Sequence, residues 1–215
     1  MTEAAQAKAP DTRTRILEAA AGVLLRQGYS GASLRGIATE AGLPLGNVQY
    51  YFPSKAQLMI EVWRYVNSRS LEQLRSELDR IADPASLMEV GPDQIWTSLK
   101  QLSDLQLVAY DLLLQAPKDE TLKAFLPELF EGYRKVIEEQ LDRFEAATGM
   151  RLRLPRDVVV PLLMNTILGF GLYYVVTQDE ASCDRALAAF RLVAASMLEP
   201  APFGGPHEAR FVGSK

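Results

Sequence analysis

The chain has 215 residues, 48% of them hydrophobic, and a mean hydropathy of -0.04. This composition suits a globular protein of one or two domains with a sizeable core. Its one cysteine, Cys183, excludes an internal disulfide framework and leads us to expect a reducing, cytoplasmic setting. No run approaches 18 uninterrupted apolar residues and the opening MTEAAQAKAP has no apolar signal core, so neither a membrane span nor a leader is expected. The net charge of -4 divides unevenly: residues 1–56 carry six Lys/Arg against four Asp/Glu, and the acidic excess lies behind them. Binding to phosphate depends on local charge, so a mildly basic head on an acidic body is compatible with one-sided contact with nucleic acid.

Residues 1–10 read as a flexible arm, either touching phosphate through Lys8 or without a role. Asp11 or Thr12 caps a first helix that runs to about Gln27 on the stripe Ile16, Leu17, Ala20, Val23 and Leu24, and Gly28 ends it. Arg13 and Arg15 near its start are either phosphate ligands or solvated helix charges. Ser33 caps a second helix, whose Leu34, Ile37, Ala38 and Ala41 share one face. Gly36 inside it is unexplained by the sequence, since Gly costs about 1 kcal/mol there relative to Ala. Gly42 suits a left-handed turn, and Leu43-Pro44 starts a third helix from about Leu45 to Tyr51 with Val48 and Phe52 turned inward.

Two short helices around a tight glycine turn describe a helix-turn-helix, whose second helix enters the DNA major groove. In that helix Gly46 lets the backbone approach DNA. Asn47 and Gln49 carry amides that pair with adenine, Tyr50 offers a hydroxyl or ring face, and Leu45 can meet a thymine methyl. Of the two tyrosines, Tyr51 is expected to be the mostly buried one. Ser54-Lys55-Ala56-Gln57 has the form of a capping box and opens a fourth helix, with Lys55 in its first turn as a phosphate ligand. This helix reaches about Ile81 through Met59, Val62, Trp63, Val66, Leu71, Leu74 and Leu78.

The stretches Arg15–Ala20 through Gly28-Tyr29, Leu34–Ala38, Ala41-Gly42, Gly46–Val48 and Tyr50–Lys55 together resemble the TetR family of bacterial transcriptional regulators. The resemblance covers roughly the first quarter of the chain and departs from the commonest family pattern at Pro44, Gln49 and Tyr51. It implies an all-α fold, with an N-terminal three-helix helix-turn-helix head and a C-terminal helical body for ligand binding and dimerisation. It also implies that Arg35 reaches the groove edge, as a phosphate or guanine contact.

Beyond Trp63 the likeness is one of architecture. Breaks are expected at Asp83-Pro84 and Gly91-Pro92, then one helix from Asp93 to Gln115, stopped by Pro117. Asp119 or Thr121 restarts a helix to about Thr148, interrupted near Pro127 and ended by Gly149. Two more helices span about 155–178 and 182–198, and no strand pattern is found. The expected division is an arm at 1–10, a DNA-binding head at 11–56, a helical body at 57–199 and a tail at 200–215.

The first of the last two helices is apolar on more than one face, so its surplus calls for a partner, and Leu168 and Val175 are nominated for that contact. The resemblance implies that the last two helices form a four-helix bundle with a second copy. A twofold homodimer on a near-palindromic double-stranded operator supplies the base contacts that one head lacks. The resemblance also implies a small-molecule effector between the body helices. The candidate lining is Trp96, Gln106, Tyr110, Phe130, Tyr133, Arg134, Asn165, Phe170 and Tyr174, each otherwise readable as core. This suggests a largely apolar ligand with a few hydrogen bonds, and a repressor that it releases from DNA. An enzyme is disfavoured, because the lone His207 and Cys183 form no catalytic or metal-ligating set, and no cofactor or metal is expected. The alternative is an all-helical adaptor or small-molecule-binding module without specific DNA binding.

Overall fold

The computed structural model describes residues 11–201. The expected arm with Lys8, and the expected tail from residue 202 with His207, lie outside the described residues. Three helices make the head: α1 (Thr12–Gly31), α2 (Leu34–Glu40) and α3 (Leu45–Tyr51). The long α4 (Lys55–Asp79) leads into a body of α5 (Leu87–Gln101), α6 (Ser103–Gln115), the one-turn α7 (Glu120–Lys123), α8 (Leu126–Thr148), α9 (Arg156–Thr177) and α10 (Glu180–Ser196).

Local signals set most of these ends. Asp11, Ser33, Ser54, Asp119 and Asp179 each accept a backbone N–H from the first turn of the helix that follows. Gly28 (φ 66°), Gly42 (φ 62°) and Gly149 (φ 65°) take the left-handed turns that would strain any other residue. Gly36 now has a reason: its N–H donates to the Ser33 hydroxyl at 3.1 Å, and a Cβ there would crowd that oxygen at 3.2 Å.

Three expectations are corrected. The Gly91-Pro92 break does not occur; α5 runs through Pro92, whose ring is buried, so packing outweighs the lost ladder bond. The single helix expected from Asp93 to Gln115 is two, because Leu102 leaves helical geometry (φ -117°, ψ 25°). The Leu99 carbonyl near that break takes a hydrogen bond from Gln106 Nε2 at 3.1 Å. A strand pair does exist: β1 (Met150–Leu152) and β2 (Leu198–Pro200) are antiparallel, and at three residues each they leave no readable alternation. Among the described helices α9 is long and apolar enough to cross a membrane, by length and composition alone.

One apolar core runs from the head into the body. Ile16, Leu24, Ile37, Val48 and Phe52 pack continuously with Val62, Trp63, Leu112, Leu122 and Leu129. Burial of this size, at about 25 cal/mol per Å², fixes the head against α4 and α6. The expected boundary at 56/57 falls in the first turn of α4.

Candidate nucleic-acid interface and body cavity

Val48 is fully buried and anchors α3 in the head core, which turns the rest of that helix outward. Gly46, Asn47, Gln49 and Tyr50 are exposed, Tyr50 at 81%, and Leu45 is half-buried. No atom of the chain lies within 4 Å of where a Gly46 side chain would begin. Tyr51, expected to be buried, is 42% exposed and stands edge-on to Tyr50 at 5.3 Å. The inward position belongs to Phe52, at 2% exposure.

Most cations of the head are engaged within the chain. Arg13 pairs with Glu61 and stacks over Phe52, Arg15 donates to the Ala41 carbonyl at 2.9 Å, and Arg26 pairs with Glu40 at 2.8 Å. Lys55 Nζ donates to the Tyr29 carbonyl at 2.6 Å and sits 4.4 Å from the centre of the Tyr29 ring. Desolvation there lowers its pKa, with Asp111 opposing. Among the described residues of the head, Arg35 is the cation with no side-chain partner.

Tyr29 ties the head to the body. The turn at Gly28 aims the Tyr29 N–H at Asp111 Oδ2 on α6, 2.6 Å away, and the Tyr29 hydroxyl donates to Asp119 at 3.2 Å. Lys55, Tyr29 and Asp111 thus join the start of α4, the end of α1 and the middle of α6.

In the body, a cavity of about 50 Å³ lies between α4, α5, α6, α8 and α9. Of the nine residues expected around a ligand, Gln106, Tyr110, Phe130 and Tyr133 line it. Tyr110 donates to the Leu168 carbonyl at 2.9 Å, and burial pushes the Tyr133 hydroxyl up to about 12. Trp96 and Phe170 border a separate void of about 20 Å³. The Trp96 indole donates to Asp184 at 2.9 Å and meets the buried Tyr174 edge-on at 4.8 Å. Arg134 is held at the surface by Glu131 and Glu138, both at 2.6 Å, and Asn165 is exposed. Polar residues on a mostly apolar helix were a weak guide, because i, i+4 ion pairing claims an arginine as readily as a cavity does.

Trp63, Asn67, Ser70 and Ser98 also line the cavity and were not anticipated. A signal existed: Asn67 and Ser70 lie four and seven residues after Trp63, so they interrupt the apolar stripe of α4 on its inner face. Gly171 is needed where α9 crosses α6, since a Cβ would stand 2.5 Å from the Tyr110 hydroxyl and 2.8 Å from Gln106 Oε1. A second chamber of about 90 Å³, apolar except for Gln140, shares Leu74, Ile95 and Ile167 with the first.

Residues 16–62 match the family model described as bacterial regulatory proteins, tetR family. The chain is 28% identical over 161 residues to the HTH-type transcriptional regulator LmrA of Bacillus subtilis, covering 74% of this chain and 85% of that one. It shares its fold with a TetR transcription regulator from Haloarcula marismortui, with a TM-score of 0.74, 20% identity and coverage of 88% and 99%. The multidrug binding protein EbrR, solved complexed with imidazole, is similar at a TM-score of 0.62 and 25% identity, with coverage of 91% and 93%. The matched segment is the one that buries Val48 and exposes Asn47 and Gln49, and over it the chain is similar to the tetR family of bacterial regulatory proteins.

Proposed function

We propose that the chain acts as a homodimeric repressor that leaves its operator when a small, largely apolar ligand enters the body. In this reading Asn47 and Gln49 read base edges, Leu45, Gly46 and Tyr50 meet the groove wall, and Arg35 reaches phosphate or guanine. The observation that carries it is a cluster of exposed polar groups, Arg35, Asn47, Gln49 and Tyr50, without side-chain hydrogen-bond partners beside a buried Val48. Lys55 keeps N–H groups for a phosphate beyond the one given to Tyr29, so its role is divided between DNA and the junction.

The dimer contact is assigned to α9 and α10. Val158, Leu162, Leu172, Tyr173 and Val176 on α9, with Leu192 and Val193 on α10, are exposed. Beside them an open groove of about 400 Å³, lined by Gly169, Phe170 and Cys183 among others, offers a seat for a partner side chain. Leu168, nominated from sequence, lines the body cavity instead, so Val176 at 71% exposure is the better probe.

Ligand binding acts through the junction. Gln106 and Tyr110 on α6 line the cavity, and Asp111 on the same helix holds Tyr29 and so the end of α1. Movement of α6 changes the setting of the head, which is the differential contact that release requires. Selection of bound sequences from random duplex DNA tests the whole reading. Two half-sites about 34–36 Å apart, or a multiple of that, are expected; enrichment of no sequence, or of a lone half-site, refutes it. Light scattering on Val176→Asp should report monomers, and an intact dimer would place the interface elsewhere.

A further inference from the structure

We propose that the effector is an uncharged amphiphile. Its head carries both a hydrogen-bond donor and an acceptor and is held by Trp63, Asn67 and Gln106; its hydrocarbon tail passes Ile95 into the second, apolar chamber. The inference rests on the reading of the body cavity as the effector site and specifies what that site takes.

Among the described residues four buried polar atoms lack a hydrogen-bond partner: Arg191 Nε on α10, away from the cavity, and Trp63 Nε1, Asn67 Oδ1 and Gln106 Oε1. Trp63, Asn67 and Gln106 are 0%, 8% and 9% exposed, and these three line the same 50 Å³ cavity. Native proteins rarely leave such atoms unpaired, and three around one space describe a site with one donor and two acceptors to offer. The Gln106 amide cannot be turned over to hide its oxygen, because its Nε2 is committed to the Leu99 carbonyl at 3.1 Å. A hydroxyl or carboxamide, which both donates and accepts, complements this set.

Charge is excluded by the walls. Neither chamber is lined by Asp, Glu, Lys, Arg or His. A buried ion there would have no counter-charge, a far larger penalty than an unmade hydrogen bond. The tail follows from continuity: Leu74, Ile95 and Ile167 face both spaces, and a rotamer change in one of them joins the polar chamber to the apolar one beyond.

The test is calorimetric titration of the DNA-free protein at neutral pH with 1-octanol, octanamide, octanoate and octyltrimethylammonium, and with the butyl and hexyl alcohols and amides. The neutral octyl compounds should bind at least about tenfold more tightly than either ion. Affinity should rise about fourfold per added methylene, the ratio equivalent to about 0.8 kcal/mol. Asn67→Leu and Gln106→Leu should each weaken octanamide by about tenfold. Ile95→Trp, which fills the passage, should abolish the gain beyond butyl. Asn67→Asp gives a readout that survives if the leucine variants misfold, because it should turn the preference toward octyltrimethylammonium. An ion bound as tightly as the amide, no dependence on chain length, or no neutral compound bound at all overturns the proposal; the last result means that water satisfies the three atoms. DNA binding is measured separately on the same preparation. Release from duplex by octyltrimethylammonium keeps the regulatory reading and defeats this one, whereas octanamide binding without any duplex binding does the reverse.

Discussion

Arg35→Ala separates a phosphate contact from every structural role. The Arg35 side chain is exposed and makes no hydrogen bond or ion pair with the described residues, so its removal should leave stability within about 0.5 kcal/mol. Each phosphate neutralised contributes about 0.9 to the slope of log affinity against log salt. A dimer loses two such contacts, so the slope should flatten by about 1.8. Over a fourfold rise in salt, from about 50 to about 200 mM, the variant should therefore lose roughly tenfold less affinity than the parent protein. Mobility-shift titrations at several salt concentrations read this directly, with urea unfolding as the control. Arg15→Ala is the comparison: it frees the Ala41 carbonyl from its 2.9 Å bond, and should cost stability of about 1 kcal/mol. An unchanged slope for Arg35→Ala refutes the phosphate role. A loss confined to sites with guanine at one position moves Arg35 to base reading.

Gln49→Ala should cost about 1–3 kcal/mol at particular base pairs and relax preference there, while equal loss on all duplexes in competition assays would show that the amide does not read sequence. Asp111→Ala strips the Tyr29 N–H of its 2.6 Å acceptor and should destabilise the fold by about 1–3 kcal/mol in urea, with ligand-induced release blunted; full stability and full release would remove the junction from the mechanism. The caps predict an acid limb. The Thr14 backbone N–H holds the Asp11 carboxyl below its usual 3.8, and the Ser182 hydrogen bonds do the same for Asp179. Depressed folded-state values mean stability that is present above 3.8 and lost as pH falls through the folded pKa. Asp11→Asn with Asp179→Asn should therefore flatten the stability–pH curve below about pH 4, and an unaltered curve in urea melts would dismiss the caps as its source.

The head was legible because its signals are local. Ser33, Gly42, Pro44 and Ser54 each act within a turn, and the 34, 37, 38, 41 spacing says which face is buried without reference to anything distant. The α3 residues that face outward follow from Val48 alone. Much of the body was also readable as helices, since capping and proline signals at Asp119, Pro127 and Gly149 work over the same short range.

What the chain order could not decide were choices made across the fold. Pro92 reads as a break, and only burial against the body keeps α5 continuous through it. Tyr51 and Phe52 are both aromatic candidates for one inward position, and the head core admits Phe52. Arg13, Arg15 and Lys55 are cations near a DNA-reading helix in the sequence, but their partners lie 26 to 48 residues away at Glu61, Ala41 and Tyr29. The cavity is likewise a property of several helices at once: Trp63, Asn67 and Gln106 converge from α4 and α6 on a space that no single helix contains. Local sequence determines which way a helix turns its faces, because dihedral preference and periodicity are near-neighbour effects. Which charges remain free and which polar atoms are left wanting a partner depends on non-local contacts, and these exist only once the helices have packed.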